Sequence, residues 1–137
     1  MIFDVVGGSV AIGGKVLRGN MSLSDTVALG FAFEREIDMK TGWVFRTASR
    51  DTFGLHTVAP ALGFQSNRLQ RVSVAFLDEV GTLSGTLADR HRDFLSQELG
   101  APSKTTITQA LYVYPWGQIA AEQDARNGTA YIIVTWQ

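Results

Sequence analysis

The chain has 137 residues, 45% hydrophobic and 18% charged, with a formal net charge of −1 and no cysteine. This length and composition are those of one folded globular domain, spanning residues 1–137. Its twelve basic residues are scattered, unlike the basic stripe of nucleic-acid binders, and the lack of cysteine excludes disulfides, thiolate metal sites and cysteine nucleophiles.

The amino terminus and the hydropathy pattern predict a soluble cytoplasmic protein that does not contact a membrane. The first residues, MIFDVVGGS, place Asp4 early and have no basic region before an apolar core, so they do not resemble a secretory signal. No apolar run approaches the ~18 residues that a membrane span requires.

Glycine pairs divide the first twenty residues into short apolar pieces, which predicts two short strands, over 2–6 and 15–17, joined by turns. A phosphate-binding loop that began at Gly8 would need lysine directly after Gly13, but Gly14 stands there. Turn glycines are therefore the better interpretation.

Ser22 and Asp25 have the spacing of a capping box, which predicts a short helix that ends at Gly30. Residues 31–39 then alternate between apolar and charged, as in a strand with one solvent-exposed face, and 43–47 form another short strand.

Two more strands are predicted over 55–64 and 69–77, joined by a polar turn. Proline cannot donate a ladder hydrogen bond, so the first of them is an edge strand or is broken at Pro60. One face of the second strand carries Val72, Val74 and Phe76. The other face carries Arg71, Ser73 and Ala75.

The clearest helix is predicted from Thr86 to Leu99, because Gly100 and Pro102 form a strong stop signal. The chain closes with a strand at 111–114, a break at proline and a hairpin. The turn of that hairpin is predicted at Asn127-Gly128, with positive φ at both positions, and it leads into an alternating strand over 130–136.

Residues 22–77 and 84–136 each show a helix followed by strands, which suggests two related helix–strand–strand halves. We therefore predict an α+β fold of two layers, with an antiparallel sheet and two helices packed on one face.

Three segments carry a resemblance to known families: Leu99-Gly100-Ala101-Pro102, the strand over 112–119 with its YPWG sequence, and the closing AYIIVTW. They resemble the SmpA/OmlA-like lipoprotein domain of outer-membrane assembly and the tandem-repeat β-lactamase inhibitor proteins. They also resemble small bacterial proteins that end in LGxP–YxWGxI–IxVxW. The resemblance implies binding of another protein through a sheet face or loops, and it implies no catalysis.

The aromatic residues are the main candidates for binding. Tyr112, Tyr114 and Trp116 are spaced by two, so an unbroken edge strand would present three rings on one face, near Trp43 if the sheet folds back. Such rings are frequent at the energetic centres of interfaces. The alternative is a core layer beneath the helices.

Asp124 and Arg126, in the loop before Asn127, are candidate recognition residues, although an Asx turn alone would also place an aspartate there. The charged face of Glu34 and Glu36 would form the rim of such an interface.

His91 lies on the apolar stripe of the predicted helix, where a packing role and a place in a ligand cleft are both open. Asp89, His91 and Asp93 do not share a helix face, so no metal site and no cofactor is predicted. Asp78-Glu79 is interpreted as a solvated turn and Ser84 as a loop or helix-cap serine.

Together these features favour a non-enzymatic interaction module, of the immunity or inhibitor type, whose partner is another protein or a second copy. The alternative is a small-molecule-binding protein or minor enzyme, with a cleft between sheet and helices lined by Trp43, Trp116 and His91.

Overall fold

The computed structural model describes residues 2–77, 84–124 and 126–137. These residues form thirteen strands and two helices, and all strand pairs are antiparallel. In chain order the elements are β1 (Phe3–Asp4), β2 (Ser9–Ile12), β3 (Lys15–Arg18), α1 (Leu23–Ala28), β4 (Phe33–Asp38), β5 (Trp43–Ala48), β6 (Asp51–Phe53), β7 (His56–Val58), β8 (Ala61–Gln65), β9 (Arg68–Val74), α2 (Ser84–Leu99), β10 (Lys104–Thr105), β11 (Gln109–Tyr114), β12 (Gly117–Asp124) and β13 (Thr129–Trp136).

Eight strands form one sheet in the order β10-β11-β12-β13-β9-β8-β5-β4. The amino-terminal half supplies β4, β5, β8 and β9 as one contiguous set, and the carboxy-terminal half supplies the other four strands. The two sets meet where Val72 pairs with Val134. The remaining strands form a three-stranded sheet, β1-β2-β3, and a hairpin, β6-β7. A common origin of the two halves stays a prediction.

One face of the eight-stranded sheet, which we call the core face, is covered. Strand alternation places Val72, Ile132 and Val134 on this face, and they belong to one buried cluster together with Leu95 of α2. The same cluster includes side chains from the two smaller sheets: Phe3, Val10, Ile12, Leu17, Phe53 and Val58. The core therefore lies between the large sheet and a second layer made of α2, β1–β3 and β6–β7.

The fold class is α+β and is dominated by antiparallel sheet, as the sequence predicted. α1 begins with the predicted capping box of Ser22 and Asp25. α2 packs on β12 and β13, whereas α1 lies beside the β8–β9 turn, where the Leu23 N–H donates to Asn67 Oδ1. The finer arrangement, with both helices on one face, stays a prediction. In the described part of the chain, neither helix is long and apolar enough to cross a bilayer.

The strand predicted over 55–64 is broken at Pro60, as expected, into β7 and β8. β8 lies inside the sheet between β5 and β9, and the carbonyl of Pro60 accepts a hydrogen bond from the Ala48 N–H. Since proline lacks only a donor, its carbonyl still takes part in the junction between β5 and β8.

The carboxy-terminal hairpin turn differs from the prediction. Asp124 pairs with Thr129, so four residues rather than two separate the paired positions. Of the predicted turn residues only Gly128 has a positive φ, at 66°, and Asn127 does not. The longer loop is shaped by Asp124, whose carboxylate accepts hydrogen bonds from the backbone N–H groups of Arg126 and Asn127.

β4 is an edge strand of the large sheet and is highly charged. Five of its six residues are exposed, and they include Glu34, Arg35 and Asp38. Glu36 forms an ion pair with Arg46 of the neighbouring strand. Only one side of β4 is hydrogen-bonded within the described chain.

Candidate functional site

The side of the eight-stranded sheet opposite to the core face, which we call the outer face, carries two adjoining concavities. Strand pairing places Phe45, Gly63, Arg71 and Ile133 on this face. Each of them is the sequence neighbour of a residue on the core face, and successive strand residues point to opposite faces. The outer face therefore crosses both halves of the chain, from β5 to β13.

The larger concavity is a groove of about 630 Å³. Its lining is mixed, with aromatic, amide and charged side chains from β9, β11, β12, β13 and the last hairpin loop. The residues that characterise it are Arg71, Gln109, Glu122, Asp124, Arg126 and Tyr131. Tyr131 is 40% exposed, and its ring belongs to the wall of the groove.

The smaller concavity is an apolar pocket of about 250 Å³, lined by Met39, Thr41, Trp43, Phe45 and Arg71. The rings of Trp43 and Phe45 stack with their centroids 5.6 Å apart and an interplanar angle of 7°. Both rings are half-buried, and Met39 is exposed beside them. The pocket thus offers an aromatic surface to an incoming apolar group.

Arg71 lines both concavities and joins them. A Cβ atom on Gly63 would lie 2.8 Å from Cε1 of Phe45 and 3.3 Å from Cβ of Arg71. Because real side chains do not approach so closely, the glycine is what allows the Phe45 ring and the Arg71 stem to lie side by side across β8.

The carboxylates of the groove are engaged, whereas its guanidinium groups are not. Glu122 accepts a hydrogen bond of 2.8 Å from Nε2 of Gln109, and Asp124 accepts hydrogen bonds from its own loop. Within the described residues, the guanidinium groups of Arg71 and Arg126 form no hydrogen bond and no ion pair. The groove therefore holds two guanidinium groups without polar contacts beside two carboxylates that accept hydrogen bonds only from neutral groups.

Three of the predicted site residues line these concavities: Trp43 in the apolar pocket, and Asp124 and Arg126 in the groove. The remaining ones lie on the other side of the sheet. Tyr112 is 3% exposed on the core face, and its hydroxyl donates to the Gly100 carbonyl at 2.8 Å. Burial raises its pKa above 10, and the neighbouring Tyr114 adds to the effect.

Tyr114 and Trp116 also point to the core-face side, where their rings stack with centroids 5.4 Å apart. Nε1 of Trp116 donates to the Val5 carbonyl at 2.8 Å, which fastens the amino-terminal segment to the β11–β12 turn. Part of β11 is covered by β10, which pairs with Ala110 and Leu111. These rings therefore join two layers of the fold and do not contribute to the outer face.

His91 is fully buried in the core. Its Nε2 accepts a hydrogen bond of 3.3 Å from the backbone N–H of Phe76, and its ring meets the Phe76 ring edge-on. Burial, together with a smaller contribution from the charge of His56, lowers the pKa of His91 to about 4. The ring is therefore neutral at pH 7 and acts as a hydrogen-bond acceptor.

The structure does not bring Trp43, Trp116 and His91 into one cleft. Trp43 lies on the outer face, whereas Trp116 and His91 lie on the core-face side. The described residues contain no group of three or more histidine, aspartate or glutamate side chains that would hold a metal ion. Asp78-Glu79 and the side chain of Ser84 lie outside the described residues.

Comparisons of the chain with protein-family models, curated proteins and solved structures found no significant match.

The sequence did not single out Arg71, Tyr131 or Ile133 as site residues. For Tyr131 and Ile133 a signal was present, because the 129–136 strand carries large side chains on both of its faces. A strand with one open face would be expected to show polar residues on that face. Large side chains on both faces thus indicate either a second buried layer or a binding surface.

Proposed function

We propose that this chain is a non-enzymatic interaction module that binds another protein through its outer face. The observation that carries the proposal is the position of Arg71, with no polar partner in the described chain, between an aromatic pocket and a polar groove. Arginine, tyrosine and tryptophan are enriched at the energetic centres of protein interfaces, and the outer face supplies all three in Arg71, Tyr131 and Trp43.

The module would act by occlusion, as an immunity protein or inhibitor does. The broad outer face would cover the partner's working surface, and the loop with Asp124 and Arg126 would form part of the rim. The predicted anchor of Tyr112, Tyr114 and Trp116 is replaced in this proposal by Trp43 and Tyr131, because the former rings are used within the fold. The cysteine-free composition favours a cytoplasmic partner.

Capture of a partner from extracts of the source cells tests the proposal. The bait proteins are the wild type, Tyr131→Ala on the outer face, and Leu55→Ala, a matched control at a fully exposed apolar residue between β6 and β7. We expect the same protein to be captured by the wild type and the control, and to be lost with Tyr131→Ala. A partner that Tyr131→Ala retains in full would contradict binding through the outer face.

A small-molecule-binding protein or minor enzyme is the second candidate, and the volume of the groove is the observation that favours it. At about 630 Å³ the groove has the size of many ligand sites, although it is open to solvent along the sheet. Thermal-shift screening of a metabolite library against wild type and Tyr131→Ala distinguishes this candidate. A metabolite that stabilises only the wild type would favour it over the interaction module.

A further inference from the structure

Arg71 lies in the middle of the proposed interface and has no ion-pair partner among residues 2–77, 84–124 and 126–137. Two carboxylates, Glu122 and Asp124, line the groove beside Arg71, but both accept hydrogen bonds from other groups. A half-buried guanidinium without a partner leaves five N–H donors to be satisfied by water or by a ligand. Its planar shape matches a carboxylate, which it can bind through two parallel hydrogen bonds.

The charge of the outer face also favours an anionic ligand. The whole chain has a formal net charge of −1, yet this face carries guanidinium groups at Arg35, Arg71 and Arg126 without ion-pair partners in the described chain. Glu122 and Asp124 limit how much negative charge the groove would accept. A monoanion fits this balance better than a dianion such as a phosphate group.

From these observations we infer that the outer face recognises a carboxylate side chain of the partner protein that is flanked by an apolar side chain. Arg71 binds the carboxylate, and the pocket of Met39, Trp43 and Phe45 takes the apolar side chain. This inference rests on the proposed function and names the chemistry of the partner at that same site.

The apolar flank follows from the arrangement around Arg71. The pocket of about 250 Å³ shares Arg71 as part of its wall, so a group bound there lies directly beside the guanidinium. An apolar side chain on the stacked rings would exclude water from the charge pair, and exclusion of water strengthens a charge-assisted hydrogen bond. A partner loop with aspartate or glutamate next to leucine, methionine or phenylalanine has the required composition.

The first test is a titration of the ¹⁵N-labelled protein with two capped synthetic peptides. One peptide contains Asp followed by Leu and Phe between serine residues, and the other has Asn in place of Asp. We expect the Asp peptide to shift the amide signals of Phe45, Arg71 and Ile133, and to bind about tenfold more tightly than the Asn peptide. Equal binding of the two peptides, or shifts confined to other surfaces, would overturn the inference.

Three variants sharpen this test. Arg71→Gln should remove the preference for the Asp peptide, whereas Arg126→Gln, the matched control at the rim, should weaken binding less than about threefold. Gly63→Ala leaves every charge in place but crowds both the Phe45 ring and the Arg71 stem, so it should weaken the binding of both peptides. A preference for Asp that survives in Arg71→Gln would contradict the role of Arg71. A phosphoserine peptide that binds more tightly than the Asp peptide would assign the site to phosphate.

Measurements with the captured partner separate this inference from the proposed function. If Tyr131→Ala abolishes binding of the partner but Arg71→Gln leaves the Kd within about twofold, the outer face is the interface and the carboxylate inference is wrong. If neither variant changes the Kd, the proposed function fails as well. Loss of binding in both variants, with unfolding midpoints like that of the wild type, supports both proposals.

Discussion

The two faces of β13 carry similar side chains in different surroundings. Ile132 and Val134 face a layer formed by α2 and the small sheets, whereas Tyr131 and Ile133 face the open groove. The donor of the core-face Trp136 is used, since its Nε1 donates to the Gly8 carbonyl at 2.7 Å. By contrast, the outer face holds donors that have no acceptor in the described chain.

This difference shows that apolar content alone does not separate a core from a binding surface. Ile133 is 6% exposed and Ile132 is 1% exposed, so burial also separates them poorly. What distinguishes the faces is the covering layer, because the core side also holds a polar atom without a partner in the described chain, the buried Nδ1 of His91. The indole of Trp43 and the guanidinium of Arg71 have no hydrogen-bond partner within the described residues, and both side chains are partly open to solvent.

The largest expected contrast comes from adjacent residues of β13. Ile132→Ala should lower the free energy of unfolding by about 3 kcal/mol, because a cavity opens beneath α2 and the small sheets. Ile133→Ala should cost about 1 kcal/mol, because solvent and flexible side chains can fill the space on the open face. Urea denaturation of both variants measures the two losses. Equal losses would show that the outer face is packed as tightly as the core.

Acidification should weaken the core face through His91. Its pKa is about 4 in the folded protein and 6.5 in its ordinary state, so the unfolded chain binds the proton first. The stability provided by the neutral ring is complete above pH 6.5 and is lost as the pH falls toward 4, by about 3 kcal/mol. Urea denaturation at pH 7 and pH 4 measures this loss.

The control for the pH prediction is His91→Gln, whose amide oxygen can accept from the Phe76 N–H without titrating. This variant should not show the decrease in stability between pH 6.5 and 4. The stability that the ion pair between Asp51 and Lys15 contributes changes in a different pH range. Burial alone would raise the pKa of Asp51, but the hydrogen bond and charge of Lys15 hold it below 3.8, so its contribution is lost only at lower pH. A similar decrease in His91→Gln would assign the effect to other groups.

A smaller contrast is expected between two tryptophans. Trp136→Phe should cost about 2 kcal/mol, because the buried Gly8 carbonyl loses its donor. Trp43→Phe keeps an aromatic ring on the outer face and breaks no hydrogen bond within the described chain, so its cost should stay below about 0.5 kcal/mol. Thermal unfolding of the two variants compares them, and a larger loss for Trp43→Phe would mean that the outer face is part of the stable core.

The smallest expected effect on stability is that of Arg71→Gln. Since its guanidinium makes no polar contact in the described chain, the free energy of unfolding should change by less than about 0.5 kcal/mol. The same substitution should have a large effect on partner binding. A loss of stability above about 1 kcal/mol would show that Arg71 supports the fold, which would weaken its assignment to recognition.

The sequence predicted elements whose signals are local, but it did not predict β2, β6 or β10. The capping box at Ser22 and the predicted alternation over 71–76 are both present in the structure. The hairpin turn failed because Asn127-Gly128 suits more than one loop length, and the pairing of Asp124 with Thr129 decides which one forms.

The candidate site was less predictable, because it depends on which face of the sheet the second layer covers. The spacing of Tyr112, Tyr114 and Trp116 correctly indicates one shared face, but it does not tell whether that face is covered. The answer lies in distant contacts, such as the hydrogen bond from Trp116 to Val5, which are 111 residues apart in the chain. Arg71 could not be predicted as a site residue for the same reason.

The charged edge formed by β4 also limits how the sheet can grow. Residues directly opposite in an antiparallel pair share a face, so two copies of β4 can pair only in registers that match odd with odd and even with even positions. Centring on Arg35 sets the two Arg35 side chains opposite each other, centring on Glu36 does the same for Glu36, and centring on Ile37 sets Glu36 against Asp38. Each register thus opposes like charges, which repel when directly opposite. The β4 edge of the sheet is therefore protected against pairing with its own copy.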